Sequence, residues 1–367
     1  MAGKDEYSNQ TRRPKLLLHG LDTLEVAFYL DVRRSKLDFI ELEAEQQRAK
    51  ETARDSFVEI ALGTETFALA AYGRFPYRYV LSNEEFEVRL AEFMRPACLV
   101  RFSSKGLWTF GVKALVERFK AWCQSMSLTA PRGEVVSRAD WAFDYPLPAV
   151  DFELHHFVTL AAKDSVWREH GAVQTFQIGR DQVVVRVYDK VAEIGQSSGK
   201  TFLFELWDRD SEVWRIEFQI RGERLKEGGI RTLDDLASLQ NDLLRQLAGN
   251  HTTLRRPTGN TNRSRWPLHP LWQAVQDDIS TLPQTGLIRH IDPKAPIKDR
   301  LYHQAKSIHG HLKGFTTLLV AIGALGPNPR LEDVLARLQG HLEPHHQADI
   351  WASDIQNRLT ALRLGRW

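Results

Sequence analysis

Three stretches of the chain bring together residue types that could do chemistry. Residues 183–190 read Val-Val-Val-Arg-Val-Tyr-Asp-Lys, which sets the phenol of Tyr188 between two cations, Arg186 and Lys190. Side chains of a strand alternate between its two faces, so these three share one face while Val183, Val185 and Val187 share the other. Residues 137–145 divide in the same way, with Trp141, Phe143 and Tyr145 on one face and Arg138, Asp140 and Asp144 on the other. Residues 214–221 set Trp214, Ile216, Phe218 and Ile220 against Arg215, Glu217, Gln219 and Arg221. Singly, each is an ordinary half-wet strand, and cross-strand Arg/Glu pairs stabilise sheets by about 0.2–1 kcal/mol each. Joined in one sheet whose apolar side packs on helices, they gather three carboxylates, a tyrosine and several cations on a single surface.

A phenol is a weak nucleophile at neutral pH, its ordinary pKa being about 10, and cations beside it favour the phenolate. Arg138 and Arg215 share faces with carboxylates. They could therefore clamp phosphate oxygens as forked donors or form salt bridges to those same acids, and the sequence leaves both roles open.

The elements that must position these residues follow from periodicity. A strand is expected over residues 21–31, a helix over 35–53, a hairpin over 57–62 and 67–72, and a helix over 82–93. A second hairpin over 97–102 and 107–110 precedes a helix over 112–126, and Ala130-Pro131-Arg132-Gly133 breaks the chain. The second half runs strand 137–145, helix 151–163, strands 173–178 and 183–190 about the turn 179–182, a short strand 202–206 and strand 214–221. Strand, long helix and antiparallel strands in both halves suggest an internal duplication. A helix over 233–247 leads to a loop, 250–266, that carries Arg255, Arg256, Arg263 and Arg265 with Trp266 and no acid. Beyond it only helical periodicity is found, including 329–342 and 346–364. The expected fold class is α+β, with duplicated antiparallel-sheet halves, helices on one face and an α-helical C-terminal region. The expected divisions are 1–130, 131–232 as the reactive half, 233–266 as helix and basic linker, and 267–367.

With 367 residues, 43% of them hydrophobic, the chain can bury a sizeable core. The net charge of +2 hides 49 basic and 47 acidic side chains, so affinity for nucleic acid must come from local clusters. Cys98 and Cys123 are too few for a disulfide framework and are not in a metal-ligand spacing, which fits a reducing cytoplasm. The first fifteen residues lack the apolar run of a signal peptide, and the longest apolar stretch, 315–325, is too short to span a bilayer. His155-His156, His309-Gly-His311 and His345-His346 lack the alternation of a metal-binding strand and read as surface histidines.

The ordered set Arg138-Ala-Asp140-Trp-Ala-Phe-Asp144, Phe176-Gln-Ile-Gly179, Arg186-Val-Tyr188-Asp-Lys190-Val-Ala-Glu193 and Trp214-Arg215-Ile-Glu217 resembles the replication initiation factor family. These are rolling-circle initiators and relaxases that lack a His-hydrophobic-His metal motif. His19-Gly-Leu-Asp22-Thr-Leu, Leu107-Trp108 and Arg263-Ser-Arg265-Trp266-Pro267 extend the likeness, which covers about residues 19–270. The resemblance implies origin-specific nicking and rejoining of one DNA strand through a 5′-phosphotyrosine. Tyr188 would be the nucleophile, helped by Arg186 and Lys190, and Asp140, Asp144 and Glu217 would be ligands of Mg²⁺ or Mn²⁺. Hard oxygen donors suit those ions. Glu193 would either complete that shell or begin a surface loop, the loop being favoured. DNA is the implied partner, an origin of replication or transfer that is single-stranded at the nick, with Arg138, Arg215 and the linker arginines 255, 256, 263 and 265 on its backbone. A second copy of the chain and a host helicase are further candidates. The rival readings are a DNA-binding regulator without chemistry and a nuclease in which water attacks.

Overall fold

The computed structural model describes residues 13–52, 57–284 and 295–363. They fall into two compact units, within Met1–Ile291 and Asp292–Trp367. In the first, the strands are β1 (Leu18–Phe28), β2 (Phe57–Leu62), β3 (Glu65–Ala70), β4 (Tyr79–Ser82), β5 (Phe86–Leu90), β6 (Cys98–Phe102) and β7 (Val135–Pro146). They continue with β8 (Phe157–Thr159), β9 (Asp164–Glu169), β10 (Ala172–Ile178), β11 (Val183–Asp189), β12 (Val213–Arg221) and β13 (Thr252–Leu254). Its helices are α1 (Phe39–Thr52), α2 (Ser104–Ser125), α3 (Lys190–Glu193), α4 (Phe202–Trp207), α5 (Gly222–Glu227), α6 (Leu233–Gln246) and α7 (Pro270–Ser280). The second unit holds α8 (Ala295–Ala321), α9 (Leu331–Leu342) and α10 (Ala348–Arg363), with Leu319 and Val334 buried in it.

Eleven strands form one antiparallel sheet in the order β2-β3-β4-β5-β6-β1-β7-β12-β11-β10-β9. β1 and β7, the first strand of each half, lie side by side at the seam, and each half runs outward from it. This is the duplicated arrangement that the repeated strand pattern predicts. The halves share one sheet, so hydrogen bonding is continuous across the 130–131 division.

The apolar sides of the strands face the same layer. Leu24, Val26 and Phe28 of β1 pack there with Phe119 and Trp122 of α2, while Phe143, Phe176 and Phe218 meet Phe157 and Trp272. α6 joins the same side through Trp141 Nε1, which donates to Gln240 Oε1 at 2.9 Å.

Several short segments differ from expectation, each for a local reason. Residues 82–93 form β4, a turn and β5 rather than a helix: Phe86, Val88 and Leu90 are buried at every second position, and Asn83 Oδ1 caps the turn by accepting from the amides of Glu85 and Phe86. Residues 107–110 are helical rather than a strand, because Ser103 Oγ accepts from the Gly106 amide at 3.0 Å and starts α2. Residues 151–163 give a single 3₁₀ turn and β8 in place of a helix, and 202–206 are helical. β9 was not expected. α2 breaks at Gly111 (φ +76°), a conformation open to glycine.

The β10–β11 turn makes a comparable demand at Gly179 (φ +87°), where an added Cβ would lie 2.2 Å from the Val183 carbonyl oxygen. Gly171 has a similar φ of +84° but open space around it. In urea unfolding, Gly171→Ala should cost about 1–2 kcal/mol from backbone strain alone, and Gly179→Ala clearly more. Equal costs would contradict the turn geometry.

Candidate active site

The three polar strand faces lie side by side, as their alternation requires. Across β11, β12 and β7 the register pairs Tyr188 with Arg215 and Arg215 with Asp144; one row along, Arg186 pairs with Glu217 and Glu217 with Ala142; the next row pairs Gln219 with Asp140. This surface is not the wet face expected of it. Asp140, Asp144, Lys190, Arg215, Glu217 and Gln219 are all buried. The cover is the segment after β11, where Ile194, Leu203 and Trp207 form a small apolar cluster with Val213 and with the half-buried Leu17, Leu18 and Trp108.

At one end of this surface Arg215 and Asp144, both with 0% exposure, form a two-pronged ion pair: Nε donates to Oδ1 at 2.7 Å and Nη2 to Oδ2 at 2.8 Å. Trp207 Nε1 donates to the same Oδ2 at 2.9 Å. The third arm of Arg215 reaches Asp22 Oδ1 at 2.8 Å, where Trp108 Nε1 and Ser104 Oγ also donate, and Lys200 Nζ holds Asp22 Oδ2 at 2.8 Å. Burial opposes ionisation of Asp22, but Arg215, Lys200 and Lys190 outweigh it and hold the carboxyl well below the usual range. Gly20 makes room for this arrangement, since a Cβ there would strike the Trp108 ring at 2.9 Å.

In the middle, Tyr188 is 7% exposed and its hydroxyl donates to Glu217 Oε2 at 3.0 Å. Arg186 Nη1 donates to the other oxygen, Oε1, at 2.9 Å. Burial pushes the phenol well above its ordinary pKa, and the Glu217 charge adds to the rise against the pull of Arg215. The expectation that flanking cations favour the phenolate is therefore corrected. Arg186 is paired with Glu217, and Lys190 begins α3 instead of ending the strand, with Asp189 Oδ1 capping that turn. Lys190 Nζ nonetheless lies 5.5 Å from the Tyr188 ring centre, and it is bonded to Glu193. Burial, and the charges of Arg215 and Lys200, lower the Lys190 pKa. Glu193 ends α3 rather than beginning a loop, and its carboxylate is held by Lys190 and by the hydroxyls of Ser197 and Ser198.

At the far end, Arg138 Nε donates to Asp140 Oδ1 at 2.9 Å. Gln219 Oε1 accepts from two guanidinium groups at once, Arg138 Nη2 at 2.9 Å and Arg186 Nη1 at 3.0 Å. Two forked donors so held, with side chains 22% and 29% exposed, can grip a phosphate. Burial raises the Asp140 carboxyl to about 6; Arg138 pulls it down and the nearby Glu217 charge pushes it up.

Asp140, Asp144 and Glu217 do not fit as ligands of one ion. Asp140 and Asp144 are four residues apart on β7, roughly 13 Å along a strand, and both oxygens of Asp144 are taken. Among the described residues, no group of three or more His, Cys, Asp or Glu side chains is placed to hold a metal. The linker arginines are not brought to this surface either. Arg255 donates to the Trp266 carbonyl, Arg256 pairs with Asp151 at 3.6 Å and Arg263 donates to the His155 carbonyl. Trp266 packs edge to face on His156, whose neighbours Phe152 and Phe157 meet Phe176 on the apolar side of the sheet, and Arg265 is exposed. No helix among the described residues is long and apolar enough to cross a membrane.

Gln219, Asp22, Lys200, Trp108 and Trp207 were not singled out as site residues from the sequence. Gln219 shared its strand face with Arg215 and Glu217, a parity signal that was available; the other four join through tertiary contact.

No family model matches the chain, and no curated protein matches it. Among solved structures it is similar to a rolling circle replication initiator protein from Geobacillus stearothermophilus, at 18% identity and a TM-score of 0.39, over 72% of this chain and 97% of that one.

Two outcomes follow from these geometries. Arg215→Met leaves Asp144 and Asp22 as uncompensated buried anions and should cost about 3–5 kcal/mol in urea unfolding; a loss under about 1 kcal/mol would mean the pair is not buried as described. Asp140 binds a proton below pH about 6, which frees Arg138 for a phosphate. At fixed ionic strength, affinity for a fluorescent phosphodiester probe, measured by anisotropy, should therefore rise as pH falls through that value. Asp140→Asn should be flat over the same range, at the high-affinity limit.

Proposed function

We propose that the chain nicks and rejoins one strand of DNA, with Tyr188 as nucleophile. The observation that carries this reading is the Tyr188 hydroxyl donating at 3.0 Å to Glu217, whose other oxygen is held by Arg186. Nucleophile, base and a group orienting the base form the arrangement that activates a weak nucleophile without prior ionisation. This suits a phenol whose pKa is raised. The resemblance of the strand motifs to replication initiation factors supports the same reading.

Tyr188 Oη attacks the scissile phosphorus while its proton passes to Glu217 Oε2. The bond from phosphorus to the 3′-oxygen breaks, and the leaving oxygen takes a proton from Lys190, whose lowered pKa suits a donor. The products are a 5′-phosphotyrosine and a free 3′-hydroxyl. The reverse steps rejoin the strand without ATP. Arg186 and Arg138 balance the charge on the phosphoryl oxygens. No step is assigned to Mg²⁺ or Mn²⁺, and assays with each ion and with a chelator read any requirement directly.

The test uses DNA spanning the intergenic sequence beside the gene, with the 5′-linked peptide mapped by mass spectrometry. Tyr188→Phe should abolish the adduct while DNA binding persists, and Glu217→Gln should slow its formation roughly 10²–10⁴-fold. An adduct formed by the Phe variant would overturn the assignment. Free 5′-phosphates would mean that water attacks, and binding without any cleaved product would indicate a regulator.

A further inference from the structure

Trp167 stands in line with the nucleophile. The register of β9 with β10 pairs it with Thr175, and that of β10 with β11 pairs Thr175 with Tyr188, so all three share the polar side of the sheet. The indole is 49% exposed although Val166, the next residue, is packed against the core on the other side. Neighbouring strands lie about 4.8 Å apart, which puts Trp167 roughly 10 Å from Tyr188 across the sheet. The row alongside supplies Ser165, Gln177 and Arg186, with Arg186 Nε donating to Gln177 Oε1 at 3.1 Å. A wall closes the end of β9: Gln174 donates to Glu169 Oε2 at 2.6 Å, and Gln196, from the turn after α3, donates to the same oxygen. A large flat aromatic on an edge strand thus stands beside a row of polar side chains that leads across the sheet to Arg186.

We infer that Trp167 is a stacking platform for an unpaired DNA base beside the phosphate that Tyr188 attacks. The inference rests on the nicking reading and adds a residue to it: a base cannot lie flat on the indole while stacked in a duplex, so Trp167 engages the strand where it is single-stranded, the state already expected at the nick. Stacking of this kind tolerates any base, because every base has a π-face. It adds affinity without adding charge neutralisation.

The probe is a short single-stranded oligonucleotide of mixed sequence carrying 2-aminopurine, compared with the same sequence as a duplex. Trp167→Ala should weaken single-strand binding about tenfold, as expected for loss of one base stack, and abolish the quenching of 2-aminopurine. Its salt dependence should match that of the wild type, since no phosphate contact is lost. Trp167→Tyr should recover most of both signals. Equal binding and quenching in wild type and Trp167→Ala, while the Tyr188 adduct still forms, would sink the platform and leave the nicking reading standing. Equal weakening on single strand and duplex would also sink it. A wild-type protein that neither binds the single strand nor forms the adduct would remove the nicking reading itself.

Discussion

A guanidinium group with no exposure to solvent governs this sheet. Taking an arginine and two aspartates out of water costs several kcal/mol per ion, and mutual attraction offsets that only when every oxygen has a donor. That condition is met here. Arg215 spends its arms on Asp144 and Asp22, and Trp207, Trp108, Ser104 and Lys200 fill the remaining oxygens. The donors come from β12, from Lys200 and Trp207 of the 190–207 cover and from the first turns of α2. The network therefore fixes how β1, β7 and β12 meet, and it fastens the 190–207 segment to Asp22 and Asp144.

Given this anchor, the polar rows differ in what they can do. The Arg215–Asp144 pair is dry and fully paired, so it resists change, whereas Tyr188, in the same row, reaches diagonally to the Glu217 carboxylate of the next. Arg186 from the Glu217 row and Arg138 from beyond Asp140 bring two half-open guanidinium groups around the one amide oxygen of Gln219. Arg138, Arg186 and Arg215 are alike in type and strand parity, yet burial assigns them different work. Arg215 with its two aspartates is structural, whereas Arg138 and Arg186 keep donors near solvent.

Much of this was legible where alternation was strict. β1, β7, β11 and β12 each have one continuous apolar side, so a one-residue slip would drive that side into the polar layer, and the sequence specifies both strand and face. Short segments were less legible because a few apolar residues satisfy either period. The pattern Phe202-Leu-Phe-Glu-Leu suits a strand until Leu203 and Trp207 are seen buried together as successive helical positions. The dual role of the arginines stayed open in the sequence because each shares a face with its acid whether the pair is wet or dry. Asp22 was hidden by the β-bulge between Leu21 and Thr23, which breaks the parity of β1 just where the carboxylate turns toward Arg215. Trp167 was hidden because β9 gives no strong strand signal.

The duplication sets the proposed nucleophile in one half alone. In the first half, β5 and β6 hold the place that β11 and β12 hold in the second, two and one strands out from the seam. Glu87 faces Arg101 there, as Arg186 faces Glu217, so the charged positions recur with their signs exchanged, although Glu87 pairs with Arg74 and Arg89. Two residues beyond Glu87 stands Arg89, whose Nε donates to Glu87 at 2.7 Å; two residues beyond Arg186 stands Tyr188, which donates to Glu217 at 3.0 Å. A cation occupies the position of the phenol. Both halves can organise charge on the same side of the sheet, but a guanidinium group stays protonated and cannot attack phosphorus. The first half is thus left to bind or to brace, and the proposed covalent chemistry falls to the second alone.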